Sequence, residues 1–150
     1  MNTDLMFSTG TNHWSTPQDL FDELNSIYNF TLDVCADTTN KKVNKYFNVK
    51  QNGLAQTWQE NVCWCNPPYG REISDWVYKA SKECSADCTI VMLLPARVDT
   101  KWFHDYIYTN PDCSIKFIKG RLKFSGSKSS APFPSMIIVF KKNDNEASQE

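Results

Sequence analysis

The side chains best suited to chemistry follow a short run of β-forming residues. Residues 62–65 are Val-Cys-Trp-Cys, an apolar run typical of a buried strand. The strand has to stop at Pro67 and Pro68, because proline lacks the backbone N–H that a central strand needs. The sequence therefore predicts that an amide, Asn66, and an aromatic ring, Tyr69, are held at the end of a strand.

This motif suits the activation of a planar amine. The exocyclic NH2 group of a nucleobase is a poor nucleophile because its lone pair is delocalised into the ring. If Asn66 and the carbonyl of Pro67 both accept hydrogen bonds from that NH2 group, its nitrogen moves towards tetrahedral geometry and the lone pair is freed. Proline fixes φ and so aims its carbonyl, and Tyr69 would stack on a base that has left the duplex.

Asn66-Pro67-Pro68-Tyr69 resembles the (Asp/Asn)-Pro-Pro-(Tyr/Phe/Trp) motif of S-adenosylmethionine-dependent amino-methyltransferases. No strong base is required in such a site, because the methyl donor is already a cationic sulfonium. A Pro-Pro turn after a buried strand is the alternative interpretation, and four residues by themselves do not decide between the two.

The composition of the rest of the chain indicates one folded domain. Its 150 residues include nine Phe, six Tyr and five Trp, enough to build a core. We predict a flexible N-terminus at 1–12, a domain at 13–140 and a disordered polar tail at 141–150. The chain has neither an apolar run of about 18 residues nor a signal-peptide pattern, so we expect a cytoplasmic protein with no membrane span.

The cysteines are predicted to be reduced thiols that pack as small hydrophobic residues. A disulfide framework is not favoured without a secretory signal. Zinc binding by four of them is less favoured because neither close pair has the two-residue spacing of common zinc sites, so no metal is expected. The six residues concerned are Cys35, Cys63, Cys65, Cys84, Cys88 and Cys113.

A net charge of −1 gives no overall basic footprint for nucleic acid. The three arginines are nevertheless placed with a pattern, since Arg71, Arg97 and Arg121 each follow a predicted apolar strand by a few residues. Ligands of an open α/β sheet bind outside the carboxyl ends of its strands. We therefore expect all three guanidinium groups on the ligand side, facing phosphates, with chance placement as the alternative.

The connection 120–135 extends this basic surface. It contains Lys123, Lys128, several serines and the sequence Ala131-Pro132-Phe133-Pro134. Its composition predicts a mobile, positively charged segment that closes over DNA, with an exposed hairpin loop as the alternative.

Local patterns predict alternating helices and strands. Thr16 is a good N-cap, Pro17 suits the first helical position and Asp19 approximates a capping box, so a helix should follow. Its predicted buried face is Leu20, Phe21, Leu24, Ile27 and Tyr28. A second amphipathic helix is predicted from Ile73, Trp76, Val77, Ala80 and Cys84. Residues 30–37 are predicted to be a strand that runs into a loop. Further strands are predicted at 89–94, 115–119 and 136–140, and a third helix at 101–108.

An acidic residue in the first predicted strand suits a cationic ligand. Burying Asp33 within an apolar run would be costly unless the carboxylate is paired or lies at a wet crevice. Asp33 could hold the donor's ammonium and Asp37 a ribose hydroxyl, while the free amides of the first helix could receive the donor's carboxylate. The alternatives are that the aspartates cap the following loop and that the helix is an ordinary capped one.

Seven short motifs in one order resemble a known family. They are Trp14-Ser15-Thr16-Pro17, Leu32-Asp33-Val34-Cys35-Ala36, Asn52-Gly53-Leu54 with Trp58, Asn66-Pro67-Pro68-Tyr69, Leu94-Pro95-Ala96-Arg97 with Trp102-Phe103-His104, Gly120-Arg121-Leu122-Lys123-Phe124 and Ala131-Pro132-Phe133-Pro134. The series is similar to the phage-type Dam family of DNA N6-adenine methyltransferases, and the similarity covers about residues 13–140.

The resemblance implies a minimal Rossmann-like methyltransferase sheet, mostly parallel with an antiparallel last strand and helices on both faces. It implies methyl transfer from S-adenosylmethionine to adenine N6 in DNA, in the cytoplasm of a bacterial host if the protein is phage-encoded. Protection of phage DNA from host nucleases is the corresponding role. The expected donor-binding residues are Trp14, Thr16, Pro17, Asp33, Cys35, Ala36, Asp37 and Asn52. The expected target-base residues are Asn66, Pro67, Pro68 and Tyr69.

Some features depart from the family pattern. The glycine-rich first loop is replaced by residues 33–37, and Asn52 stands where an acidic residue contacts the donor's adenine. With no room for a large recognition domain, sequence reading must come from loops after residues 70, 95 and 120, from a homodimer, or not be strict. Because Asn66 stabilises a developing ammonium less than Asp would, cytosine N4, RNA or a protein amide are alternative acceptors. The alternative from another class is a donor-binding or DNA-binding phage protein without turnover.

Overall fold

The regular elements of the computed structural model lie within residues 13–142, which are the residues it describes. The strands are β1 (Leu32–Asp33), β2 (Asn61–Cys65), β3 (Cys88–Pro95), β4 (Cys113–Phe117) and β5 (Ser135–Phe140). The helices are α1 (Gln18–Tyr28), α2 (Ile73–Glu83), a 3-10 turn (Gly53–Ala55) and a π-helix (Phe103–Tyr108). The predicted flexible N-terminus, 1–12, and all but two residues of the predicted tail lie outside the described residues.

The five strands form one sheet in the order β1-β2-β3-β5-β4. β1, β2 and β3 are parallel, and β5 is antiparallel to both of its neighbours. The strands β1 to β4 therefore all run in one direction, and their carboxyl ends meet at one edge of the sheet, which we call the carboxyl edge. The predicted mixed α/β sheet, mostly parallel with an antiparallel last strand, is confirmed.

Burial of the sheet follows the position of each strand. Residues 90–95 of β3 are all buried, as expected for a central strand whose sequence is apolar without interruption. β5 pairs along the whole of this segment, from Ile90 with Phe140 to Pro95 with Ser135. Pro95 is tolerated because it is the last residue of β3.

Aromatic contacts fix the two α-helices to the sheet. Phe21 of α1 lies edge-on to Trp64 of β2, with ring centroids 5.5 Å apart. Trp76 of α2 stacks on Trp58, with ring centroids 6.3 Å apart. Trp58 is joined to β2, because its backbone carbonyl accepts a weak hydrogen bond from the thiol of Cys63 at 3.8 Å. Neighbouring side chains of a strand point to opposite faces, so α1 and the Trp58–Trp76 pair lie on opposite faces of β2.

The predicted start of the first helix is wrong in its detail. α1 begins at Gln18 with Pro17 in the cap position, and no side chain caps the helix. The Thr16 hydroxyl instead accepts a hydrogen bond from Asn66, while Asp19 accepts only from the amide of Leu20. A tertiary contact has thus displaced the predicted cap.

The predicted buried faces of the two helices are mostly observed. Phe21 and Leu24 of α1 are buried, whereas Ile27 is 64% exposed, so this part of the predicted face is wrong. The apolar face of α2 is buried as predicted, at Ile73, Trp76, Val77 and Ala80.

The long link between β1 and β2 contains little regular structure, as predicted. Its 3-10 turn requires glycine at position 53, because a Cβ there would lie 2.1 Å from the carbonyl oxygen of Val34. The Gly53 carbonyl in turn accepts from the indole of Trp58 at 2.9 Å. Within residues 13–142 no helix is both long and apolar enough to cross a membrane.

Candidate active site

The carboxyl edge of the sheet holds a crevice that contains the predicted chemical residues. Asp33 ends β1, Asn66 follows β2, and Thr16 comes from the segment before α1. The crevice has a cavity volume of about 10 Å³, which is room for about one water molecule and far below the roughly 300 Å³ of a small ligand pocket. Its lining residues are His13, Ser15, Thr16, Asp33, Cys35, Asn40, Lys42, Trp64 and Asn66.

The amide of Asn66 has one orientation in this crevice. Its nitrogen donates to the carbonyl of Trp14 at 2.5 Å and to the hydroxyl of Thr16 at 3.0 Å. Both hydrogens are therefore engaged, and the oxygen must face away from these two acceptors. That oxygen is buried and finds no hydrogen-bond partner within residues 13–142. A buried acceptor left unpaired costs about 1–3 kcal/mol, so the site is poised to receive a donor such as an amine.

Asp33 supplies a buried carboxylate on the other side of the crevice. The side chain is 2% exposed and accepts from the backbone amides of Lys42 at 3.0 Å and Cys35 at 3.3 Å. Burial raises the pKa of Asp33 to about 6, and these two hydrogen bonds only partly oppose the rise. A carboxylate in this state gains from a cation placed beside it. The crevice is therefore suited to an ammonium group.

Two of the predicted donor-binding residues are engaged locally and do not line the crevice. Asp37 caps the next turn by accepting from the amides of Thr39 and Asn40. Burial raises the pKa of Asp37, but these hydrogen bonds outweigh it and hold the pKa below its usual value. Asn52 accepts from the amide of Leu54 at 3.2 Å. In this structure both side chains cap local turns. Their predicted contacts with the methyl donor stay predictions.

The remaining donor-binding predictions fall in or beside the crevice. Cys35 lines it, and burial raises the pKa of this thiol to about 12, so the group is neutral there. Ala36 follows directly and is tied by its amide to the carbonyl of Phe47. Trp14 and Pro17 flank Thr16, and Trp14 contributes the carbonyl that holds Asn66. Four predicted site residues therefore line the crevice: Thr16, Asp33, Cys35 and Asn66.

Tyr69 is not open to a base in this structure. Its ring is 2% exposed, and its hydroxyl donates to the carbonyl of Leu93 at 3.1 Å. Phe124 and Phe133 lie edge-on to the ring at 6.4 Å and 5.7 Å. Stacking of a base on Tyr69 requires these rings to move, so the predicted role of Tyr69 stays a prediction that involves a different conformation.

The two rings against Tyr69 form one group with a third ring, and we call the three the aromatic cover: Phe124, Phe133 and Trp14. Trp14 lies 5.4 Å from Phe124 and 5.1 Å from Phe133. Ser125 ties the same segment to the N-terminal wall, because its amide donates to Ser15 and its hydroxyl to the Thr16 carbonyl, both at 3.0 Å. The connection 120–135 therefore packs on the protein itself and lies over Tyr69, while its predicted mobility and closure over DNA stay predictions.

The predicted DNA-contacting cations are all exposed. Three of them follow strands whose carboxyl ends share the edge that holds Asn66, and the other two lie on the connection over the crevice. They are Arg71, Arg97, Arg121, Lys123 and Lys128. The sheet topology thus groups these residues on the side of the crevice, and their contacts with DNA stay predictions.

Several crevice residues carried no recognisable signal in the sequence. The Lys42 ammonium donates to the side chain of Gln18 at 2.6 Å, and Asn40 bonds to the ring of His13 at 2.9 Å. Both belong to a polar loop without periodicity, which returns to β1 through the bridge between Asp33 and Tyr46. Only that return brings the loop to the crevice.

Comparison with known proteins decides the family. The model of the family DNA N-6-adenine-methyltransferase (Dam) matches residues 6–149. The chain belongs to the Dam family. The resemblance inferred from seven ordered motifs is confirmed, and so is the predicted enzyme class, a DNA adenine methyltransferase.

Two curated relatives of this Dam-family chain come from phages. The DNA N-6-adenine-methyltransferase of Haemophilus phage HP1 (strain HP1c1) is 31% identical over 134 residues, which is 85% of this chain and 77% of the relative. The DNA N-6-adenine-methyltransferase of Escherichia phage T1 is 37% identical over 92 residues, which is 60% of this chain and 38% of the relative. The similarity to the first of these spans most of both chains.

Proposed function

We propose that this chain transfers a methyl group from S-adenosylmethionine to the N6 amine of adenine in DNA, and that its sheet is a trimmed Rossmann-like methyltransferase sheet. The observation that carries the proposal is the buried, unpartnered oxygen of Asn66 at the carboxyl edge. Family membership names the reaction class, and this oxygen is the group through which the chain would perform it.

The donor fits the crevice by its charges. Its ammonium would lie against the Asp33 carboxylate. Burial disfavours the charged form of this carboxylate, and the ammonium would stabilise it as a counter-ion. Its carboxylate would face the N-terminus of α1, where the cap residue, Pro17, offers no side-chain hydrogen bond to the backbone amides. The bound donor supplies an electrophilic methyl group on a positively charged sulfur. The crevice has to widen to admit the whole molecule.

Asn66 and the Pro67 carbonyl would activate the acceptor. Adenine N6 carries two hydrogens, and the unpartnered oxygen of Asn66 is placed to accept one of them. The Pro67 carbonyl would accept the other, with its direction fixed by the proline ring. Neither group is basic, so the proton that the methylated amine releases passes to water. Orientation of the amine, rather than a general base, accounts for catalysis in this proposal.

The target base would reach Asn66 after two movements. The base has to leave the duplex, and the aromatic cover has to uncover Tyr69, whose ring is 2% exposed. The exposed cations around the crevice would hold the phosphates meanwhile. A homodimer, which would present a second such surface, stays a prediction.

Product analysis tests the proposal directly. Unmethylated DNA is incubated with the protein and labelled donor, digested to nucleosides, and the labelled nucleoside is identified by mass. We expect N6-methyladenine from the wild type and none from Asn66→Ala. The matched control is Asn61→Ala, since Asn61 lies at the amino end of the same strand and bonds to Thr31.

The same experiment separates the alternatives. If the labelled product were N4-methylcytosine, the acceptor would be cytosine and not adenine. Label that appears only when RNA or protein is offered would assign the enzyme to that substrate. Donor binding in a calorimeter without any labelled product would indicate a binding protein without turnover and would refute the proposal.

A further inference from the structure

The orientation of one amide decides whether the site can work. A rotation of the Asn66 side chain by half a turn exchanges its oxygen and nitrogen with almost no change in shape. In the wrong orientation an NH2 group would face the substrate amine, and two donors would oppose each other. Catalysis therefore needs a device that excludes this second orientation.

The structure contains such a device in the Trp14 carbonyl and the Thr16 hydroxyl. The Asn66 nitrogen donates to the Thr16 hydroxyl at 3.0 Å and to the Trp14 carbonyl. Both acceptors belong to the segment before α1, about 50 residues earlier in the chain. If the amide rotated, its oxygen would face the Trp14 carbonyl, which can only accept, and that bond would be lost. The Thr16 hydroxyl can accept or donate, so it holds the side chain in place while the Trp14 carbonyl selects the orientation.

Thr16 is free for this task because it does not serve the helix. The preference of threonine for the N-cap would place its hydroxyl on a backbone amide of α1. Instead Pro17 occupies the cap position, no side chain caps the helix, and Thr16 is buried with 3% of its surface exposed. The helix gives up a cap of about 1 kcal/mol while Asn66 gains a fixed direction.

We propose that Thr16 is a positioning residue, which acts on the reaction by holding the Asn66 amide against the Trp14 carbonyl, so that the amide oxygen faces the acceptor amine. This inference rests on the proposed function of Asn66. Ser125 would support Thr16, because its hydroxyl donates to the Thr16 carbonyl at 3.0 Å. The basic connection 120–135, which carries Ser125, would thereby be linked to the orientation of the catalytic amide.

Thr16 also lines the crevice, so a positioning role has to be separated from donor binding. A donor-binding role predicts that loss of the hydroxyl raises the donor Kd and leaves kcat at saturating donor unchanged. A positioning role predicts the reverse, a lower kcat with little change in donor Kd. Thr16→Val removes only the hydroxyl at nearly constant shape, and Thr16→Ser retains it.

The first measurement needs no catalysis. The side-chain NH2 signals of Asn66 are identified in nitrogen-15 NMR spectra of the free protein by their loss in Asn66→Ala. We expect slow hydrogen exchange of both protons in wild type and in Thr16→Ser, and faster exchange in Thr16→Val. The control is Thr31→Val, which removes a hydroxyl bonded to Asn61 at the opposite edge of the sheet.

The second measurement is kinetic. Loss of one hydrogen bond that fixes the amide should lower kcat about 5- to 30-fold in Thr16→Val, with calorimetric donor Kd within about twofold of wild type. Thr16→Ser should recover most of the rate, and Thr31→Val should keep it. Denaturation midpoints of the two valine variants show whether lost stability accounts for any loss of rate.

Three results would overturn the inference. The first is unchanged exchange of the Asn66 NH2 protons in Thr16→Val. The second is a raised donor Kd with normal kcat, and the third is a loss of rate that Thr16→Ser does not restore. If the wild type makes no methylated base at all, the proposed function fails, yet the NMR measurement still decides whether Thr16 orients Asn66.

Discussion

Replacing Asp33 by Asn tests whether the crevice is built for a cation. Asp33 is 2% exposed, and burial raises its pKa from 3.8 to about 6. A carboxyl with a higher pKa in the folded than in the unfolded chain binds more protons when folded. Folding therefore becomes less favourable as the pH rises from about 4 to about 6, and the full penalty is present above that range.

The magnitude follows from the shift. About two pH units correspond to about 3 kcal/mol, of which about 2 kcal/mol develops between pH 4 and pH 7. The side chain of the variant Asp33→Asn does not titrate, so the variant does not suffer this penalty. The free energy of unfolding of the variant, relative to that of the wild type, should therefore be about 2 kcal/mol higher at pH 7 than at pH 4. The new NH2 group cannot accept from one of the two backbone amides, but that cost does not vary with pH.

Urea denaturation at several pH values, without donor, measures this difference. The control is Asp37→Asn, whose carboxyl has a pKa below its usual value. Stability from such a group is present above the unfolded pKa and is lost as the pH falls, so this variant should gain nothing with rising pH. If the difference for Asp33→Asn stayed constant from pH 4 to pH 7, the buried carboxylate would be an ordinary solvated one and the reasoning would fail.

Donor binding should follow the same titration. The ammonium of the donor is paired only by an ionised Asp33, so its affinity should rise between pH 5 and pH 7 and level off above the pKa of about 6. Asp33→Asn should bind weakly with no such dependence. Calorimetry of the two proteins across this range provides the comparison.

Three further predictions concern the cover, the basic surface and the 3-10 turn. Phe124→Ala should lower the free energy of unfolding by about 3–5 kcal/mol in urea denaturation, because Phe124 is buried against Trp14 and Tyr69. The control is Phe117→Ala at a ring that is 59% exposed, which should change the free energy of unfolding by about 0.5 kcal/mol or less. Arg97→Gln and Arg121→Gln should each weaken DNA binding and reduce the slope of log Kd against log salt concentration by about one. The control is Lys82→Gln at an exposed residue of α2, which should leave that slope unchanged. Equal slopes in all three variants would show that the two arginines do not contact DNA. Gly53→Ala should destabilise the fold by about 2 kcal/mol or more, since the new Cβ would meet the Val34 carbonyl; an unchanged thermal midpoint would contradict this.

Local chemistry made part of the fold predictable. Proline has no N–H in any context, so the stop of β2 before Pro67 could be inferred from four residues. The buried face of α2 and the burial of β3 followed from the spacing and continuity of apolar side chains. Asp33 could be chosen as a site residue because an acidic group inside an apolar strand needs a special environment.

Other parts depended on neighbours that the sequence does not reveal. The preference of threonine for the N-cap position predicted that Thr16 caps α1, but its hydroxyl accepts a hydrogen bond from Asn66. The aromatic character of Tyr69 predicted an open stacking surface, but Phe124 and Phe133 bury the ring. In both cases the competing partner lies about 50 residues or more along the chain.

The sequence by itself determined the family, the position of the Asn-Pro-Pro-Tyr motif at the end of a strand and the type of sheet, because these depend on residue types and on short spacings. Only the tertiary structure decided which atom of Asn66 is free, how deeply Asp33 is buried, and that Asp37 and Asn52 serve turns. Hydrogen-bond partners and burial are set by which strands become neighbours, and in the order β1-β2-β3-β5-β4 those neighbours come from distant parts of the chain.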